Sequence, residues 1–201
     1  LSAHLLHLIS VYTFEIGWLA FAAIFIFRRR FSRDKTKKAD RASLTGIVVQ
    51  SLALAFVWMF PRRDVSILPL GLWFQLLALA IEIGLVIGSL WMMAAAVRVL
   101  GKQWSLQARV LEGHALVREG PYRFVRHPIY TGMLGMIIVA GLAWSHWIGF
   151  VISILFFAIG TAIRIRSEER LLREQFGEKF NDYKRTVPAV IPFKLSRSMT
   201  G

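Results

Sequence analysis

Long apolar blocks separated by short basic stretches constrain this chain more than any other feature. They run over Leu1–Phe27, Leu44–Phe60, Ile67–Val97 and Pro128–Ile163. A helix needs roughly 20 apolar residues, at about 1.5 Å each, to cross the hydrocarbon core of a bilayer, so these blocks read as transmembrane helices. The last run is too long for one helix. Trp144-Ser145-His146-Trp147 near its middle reads as a tight turn with interfacial aromatics, which makes the run a helical hairpin. The expected fold is all-α: a polytopic membrane protein of about five spans.

Composition agrees. Apolar residues form 56% of the 201 positions, which argues against a soluble chain. A formal charge of +13 would suit nucleic acid, but the basic residues flank the apolar blocks and build no soluble basic face. Membrane lipid is the expected partner of that charge, and nucleic acid is not. The sequence has no cysteine, which excludes disulfides, thiolate metal sites and cysteine nucleophiles. The first block is too long for a simple cleaved signal and no small-residue cleavage site follows it.

The basic residues also orient the chain. The segments 28–41, 98–126 and 164–201 hold 8, 6 and 9 of the 25 Lys and Arg, and Arg62 and Arg63 are the other two. Alternating spans put the three rich segments on one side, expected to be the cytoplasm, with the C-terminus there. Two regions are expected within one integrated domain: three membrane helices over 1–97, then an interfacial loop, the hairpin and an amphipathic helix over 98–201. Leu172, Phe176, Phe180 and Tyr183 recur at helical spacing among charges, and Pro188 and Pro192 close that amphipathic segment.

Chemistry concentrates in two clusters. In GPYRFVRHPIYTG (120–132), Gly120-Pro121 is a turn and His127-Pro128 opens a helix, proline suiting the first helical turn. His127 and the free N–H groups after it then lie at a positive helix terminus, with Tyr122 and Tyr130 supplying rings and hydroxyls; an ordinary interfacial belt of aromatic and basic residues has the same composition. The second cluster is RIRSEER (164–170), where Arg164 and Glu168 share a helix face as the last span ends. A carboxylate there binds a cationic amine and an arginine grips a carboxylate, but a plain i, i+4 ion pair with Glu169 solvated is the alternative. Within the spans, Glu82 either lines a cavity or, the better reading, pairs with a polar group on a neighbouring helix. His4 and His7 have no third ligand nearby in sequence, so no metal site is expected.

GPYRFVRHPIY, followed after a hairpin-sized apolar run by EERLLREQFGEKFNDYKRTVPAVIP, resembles the isoprenylcysteine carboxyl methyltransferase family, part of a wider group with phospholipid N-methyltransferases. The likeness covers about Gly101 to Pro192, and the short N-terminal region suits a prokaryotic-type member. The resemblance implies S-adenosyl-L-methionine as cofactor, in a cytoplasm-facing cavity between the last spans and the C-terminal helix. It implies cofactor contacts at Gln107, His114, Ala115, Leu116, Val117, Tyr122, His127, Pro128, Ile129, Tyr130 and Glu168. It implies that Arg164 binds the carboxylate of a lipophilic acceptor such as an isoprenylcysteine-like thioether.

An ionised carboxylate needs no base to accept a methyl group, whereas an amine such as phosphatidylethanolamine must first lose a proton. Arg164 therefore favours the carboxylate. Two other readings share the region: an NADPH-dependent oxidoreductase like the membrane sterol reductases, and a non-catalytic membrane scaffold. Single cysteines at positions 66 and 198 test the topology. Ser198→Cys is expected to react with an impermeant thiol reagent from the cytoplasmic side and Ser66→Cys from the opposite side; cytoplasmic labelling of position 66 would overturn the arrangement.

Overall fold

Residues 3–29, 36–62, 71–111 and 115–192 are described by the structure, a computed structural model. Six helices carry nearly all of it: α1 (Ala3–Arg29), α2 (Ala42–Met59), α3 (Leu72–Leu100), α4 (Pro128–Ala143), α5 (Trp147–Phe176) and α6 (Glu178–Thr186). Four of them, α1, α2, α3 and α5, are long and apolar enough to cross a bilayer, and the chain is an integral membrane protein. The fifth expected span is α4, whose 16 residues reach only about 24 Å. It is the most enclosed helix, burying Tyr130, Met133, Met136, Ile137, Val139 and Ala140 among its neighbours. The expected hairpin turn is present, since α4 ends at Ala143 and α5 begins at Trp147.

Two departures from expectation have local causes. Two short segments pair as an antiparallel ribbon, β1 (Thr36–Ala39) with β2 (Arg109–Leu111), so backbone groups outside the helices find partners. The amphipathic segment is not one helix. α5 continues to Phe176, Gly177 takes φ +53, and α6 leaves in a new direction. A side chain at that φ is strained, so the glycine sets the break.

Packing follows membrane rules, in which small residues let backbones approach closely. α2 lies along α5 with Gly46 facing Gly160: a Cβ on Gly46 would stand 2.5 Å from Arg164 Cγ, and one on Gly160 would stand 2.9 Å from the Gly46 carbonyl oxygen. α3 lies along α4, with Ser89 and Met93 against the same kind of glycine face. Fully buried Glu82 accepts a 2.5 Å hydrogen bond on Oε2 from Ser10 Oγ, so it ties α3 to α1 as a structural pair and does not line the cavity described below.

The bundle has two distinct ends. At one, the Asp40 N–H donates to the Ala108 carbonyl (3.1 Å) and the Ala108 N–H to Ser43 Oγ (3.0 Å), joining the segment after α1 to the stretch after α3. At the other, the Arg62 N–H donates to Trp144 O and the His146 N–H to Phe60 O, both at 2.7 Å. The Arg62 guanidinium also donates to the carbonyls of Gly141 (2.9 Å) and Ser145 (3.2 Å), satisfying the free end of α4.

Gly160→Leu forces α2 and α5 apart and is expected to destabilise the protein by about 1–3 kcal/mol. Gly88 on α3 has open space where a Cβ would go, so Gly88→Ala is expected to be neutral or stabilising, by up to about 1 kcal/mol. Thermal unfolding in one detergent checks the pair; equal effects would refute the packing described.

Candidate functional site

A cavity of about 490 Å³ opens at the ribbon end of the bundle. α1 and α2 wall it with Phe21, Phe25, Ile47 and Leu54, and the loop after α3 roofs it with Trp104 and Leu106. Its floor is built by the amino end of α4, the last turns of α5, and α6.

The chain reaches that floor through a tight approach. Gly120, at φ +56, opens a single 3-10 turn (Gly120–Arg123) that buries Pro121 and Tyr122. Tyr183 Oη of α6 donates to the Tyr122 carbonyl at 2.6 Å and holds the turn in place. Both phenols titrate high because burial disfavours the phenolate. Tyr183 is pushed up to about 12, and Tyr122 rises further, with the Glu168 charge adding to burial. His127 then caps α4 with a non-helical backbone (φ −126, ψ 63), and buried Pro128 starts the helix.

His127 stands between two carboxylates of α5. Its Nδ1 is 3.2 Å from Glu168 Oε2 and its Nε2 is 3.4 Å from Glu169 Oε1. Burial opposes the imidazolium, but hydrogen bonds and charge from both glutamates outweigh it and hold the pKa above the usual histidine value. The ring stacks on Tyr130, with centroids 5.6 Å apart, and Tyr130 Oη donates to Glu168. Arg164 also lies over the Tyr130 ring, its guanidinium carbon 5.0 Å from the centroid and its Nη2 3.7 Å from Glu168 Oε1.

Glu169 departs from the alternative reading of its cluster, in which it was solvated. It is 5% exposed. Oε1 accepts from Arg126 Nε (2.9 Å) and Nη2 (2.7 Å), while Oε2 accepts from Lys184 Nζ of α6 (2.5 Å). Arg126 also donates to the Val187 carbonyl, and the N–H groups of Arg126 and His127 donate to Pro188 O (2.8 Å) and Ala189 O (2.9 Å). The segment after α6 is thereby strapped beside the amino end of α4.

Among the residues expected at the site, Gln107, Ala115, Leu116, Val117, Tyr122, His127, Ile129, Tyr130, Arg164 and Glu168 all line this cavity. Pro128 is buried one residue away, and His114 lies outside the described residues. The Ala115 N–H donates to Gln103 Oε1 (2.6 Å), and Gln107 Nε2 donates to the Asp40 carbonyl (3.4 Å). Burial tends to raise the Asp40 pKa, but hydrogen bonds from Ser167 (2.7 Å), the Ala42 N–H (3.0 Å) and Arg170 lower it below the usual value.

Sequence reasoning missed Arg126, Gln50 and the walls from α1 and α2. Arg126 sits inside the motif that was singled out. Gln50 carries the signal that flagged Glu82, a lone polar residue in an apolar span.

The chemistry of this cavity is mixed in a telling way: apolar walls above, and at one end two arginines, a histidine and the Glu168 carboxylate among aromatic rings. Residues 80–174 match the model of the isoprenylcysteine carboxyl methyltransferase family, a segment containing most of that polar end. The chain is 34% identical over 92 residues to protein-S-isoprenylcysteine O-methyltransferase B of Arabidopsis thaliana, covering 44% of this chain and 45% of that protein. It is 33% identical over 76 residues to methanethiol S-methyltransferase 1 of Bradyrhizobium diazoefficiens, covering 37% and 25%. It is 31% identical over 106 residues to the cobalt-zinc-cadmium resistance protein CzcN of Cupriavidus metallidurans, covering 52% and 48%. The aligned segments span less than half the length of these curated relatives. Residues 80–174 thus resemble the isoprenylcysteine carboxyl methyltransferase family, and the likeness takes in the charged end of the cavity.

Proposed function

We propose that this protein is a membrane methyltransferase that uses S-adenosyl-L-methionine to methylate an anionic, lipophilic acceptor, most simply the carboxylate of an isoprenylcysteine-like thioether. The observation that carries the reading is the cavity itself, where apolar walls meet a polar end holding Arg164, His127, Tyr130 and Glu168. The relatives' names support it, because a prenylcysteine carboxylate and an ionised thiol are both anions.

The residues present fit the cofactor. Glu168 offers a carboxylate to a cationic amine, Tyr122 and Tyr130 offer ring faces to a sulfonium, and the loop at 115–117 offers backbone groups. Bound there, S-adenosyl-L-methionine supplies an electrophilic methyl group on sulfur, and an ionised acceptor takes it without a base. Arg164 contributes orientation: its Nε is buried without a hydrogen-bond partner among the described residues, a donor left for an acceptor oxygen. The apolar walls exclude water, which favours a step that neutralises an anion and a cation together.

We further propose that residues 98–201 supply the cofactor side and 1–97 the wall facing the acceptor's apolar part. The ribbon end of the bundle, and with it the C-terminus and the cavity mouth, faces the cytoplasm. The abundance of Lys and Arg in the segments at that end supports this side.

Isothermal titration with S-adenosylhomocysteine and with NADPH tests the reading. The homocysteine is expected to bind and NADPH not to; the reverse would identify a reductase, and binding of neither a scaffold. His127→Ala and Glu168→Ala are each expected to weaken homocysteine binding tenfold or more, on the order of 1.4 kcal/mol. Unchanged affinity in the folded double variant would refute the assignment.

A pH dependence follows from His127. Its folded pKa is raised, so the stabilisation from its charge is complete below the ordinary histidine value of about 6.5 and is lost as pH rises through the higher folded value. The melting temperature of the wild-type protein is expected to fall with rising pH through that window relative to His127→Asn. Parallel curves for the two proteins would contradict the charged imidazole.

A further inference from the structure

Arg164 is gripped from α2 by a residue that the family match, which begins at residue 80, does not reach. Gln50 is 3% exposed at the α2–α5 contact and lines the cavity. Its Oε1 accepts from Arg164 Nη1 at 3.0 Å, and its Nε2 donates to Thr161 Oγ1 at 2.8 Å, three residues before Arg164 on α5. Both ends of the amide are therefore engaged, and the carbonyl is fixed toward the guanidinium. Closeness at Gly46 and Gly160 brings this side chain within reach, since Gly46 lies one turn before Gln50 on the same buried face of α2.

The type of oxygen matters as much as its place. Arg164 Nη2 donates to the Leu106 carbonyl at 2.5 Å, so two neutral carbonyl oxygens anchor the guanidinium. The nearby carboxylate, Glu168, sits at 3.7 Å and is already engaged by His127 and by the Tyr130 hydroxyl. A neutral anchor fixes the fork without cancelling its charge. A carboxylate at position 50 would make an ion pair and compete with any anionic ligand.

We propose that Gln50 is a positioning and specificity residue: it holds Arg164 in place through a neutral oxygen, adding no second carboxylate beside Glu168, and so leaves the guanidinium able to select anionic acceptors. This rests on Arg164 being the acceptor-binding group, as proposed above.

The test compares wild type, Gln50→Glu and Gln50→Met in methyl transfer to N-acetyl-S-farnesylcysteine, alongside S-adenosylhomocysteine affinity and thermal unfolding. Gln50→Glu keeps the shape and adds the competing charge. It is expected to raise the acceptor KM about tenfold or more while homocysteine affinity stays within about twofold. Gln50→Met removes the anchor and is expected to lower kcat about tenfold with the same unchanged affinity. Should Gln50→Met fail to fold, Gln50→Glu carries the test through its gained ion pair with Arg164. Wild-type KM and kcat in the folded variants would overturn the proposal, and so would a loss of homocysteine affinity in step with activity. A wild-type protein that binds the homocysteine but methylates no carboxylate would overturn the acceptor reading itself, and this inference with it.

Discussion

The Glu169 carboxylate receives Arg126 on one oxygen and Lys184 on the other, with His127 beside the first. These partners come from three parts of the chain: the loop before α4, its cap, and α6. A buried carboxylate without such partners would cost several kcal/mol, and each of these cations would be left beside an empty place. The amino end of α4, the last turns of α5 and the segment after α6 therefore assemble together or not at all. That assembly sets His127 where Glu168 can reach it and Tyr130 where it can meet both Glu168 and Arg164. The polar end of the cavity is a consequence of one well-satisfied charge.

The second constraint is steric and sits deeper in the membrane. Gly46 and Gly160 let α2 lie against α5 closely enough for Gln50 to meet Arg164 and Thr161. Without a hydrophobic force between helices in lipid, such close backbone approach is a main source of helix association. It also joins the two halves of the protein, since α1 and α2 supply apolar wall to a cavity whose charged groups come from α5 and from the residues just before α4.

Much of this was legible in the sequence because it is local. Apolar blocks gave the spans, Trp144-Ser145-His146-Trp147 gave the turn of the hairpin, and His127-Pro128 gave the start of α4. The family resemblance implied ten residues that the fold brings together around the cavity. What was not legible depends on pairing across distance. Glu169 reads as one of several charges at a helix end until Arg126 and Lys184 close on it. Gly177 reads as part of an amphipathic run until its φ of +53 breaks the run in two. The β1–β2 ribbon joins segments of only four and three residues, too short to show a strand pattern, and arises because both are delivered to the same end of the bundle. Gln50 was passed over as one polar residue among apolar ones; its partner is 114 positions away.

The central claim is that S-adenosyl-L-methionine binds at the polar end of this cavity, against His127, Tyr130 and Glu168. Direct ultraviolet crosslinking of the radiolabelled cofactor to the purified protein, with the adduct mapped by peptide mass spectrometry, tests it most directly. The account predicts adducts confined to peptides containing residues 115–130 or the end of α5, competed away by S-adenosylhomocysteine. Competable adducts on α3 alone, whose helix walls the far side of α4, would contradict it.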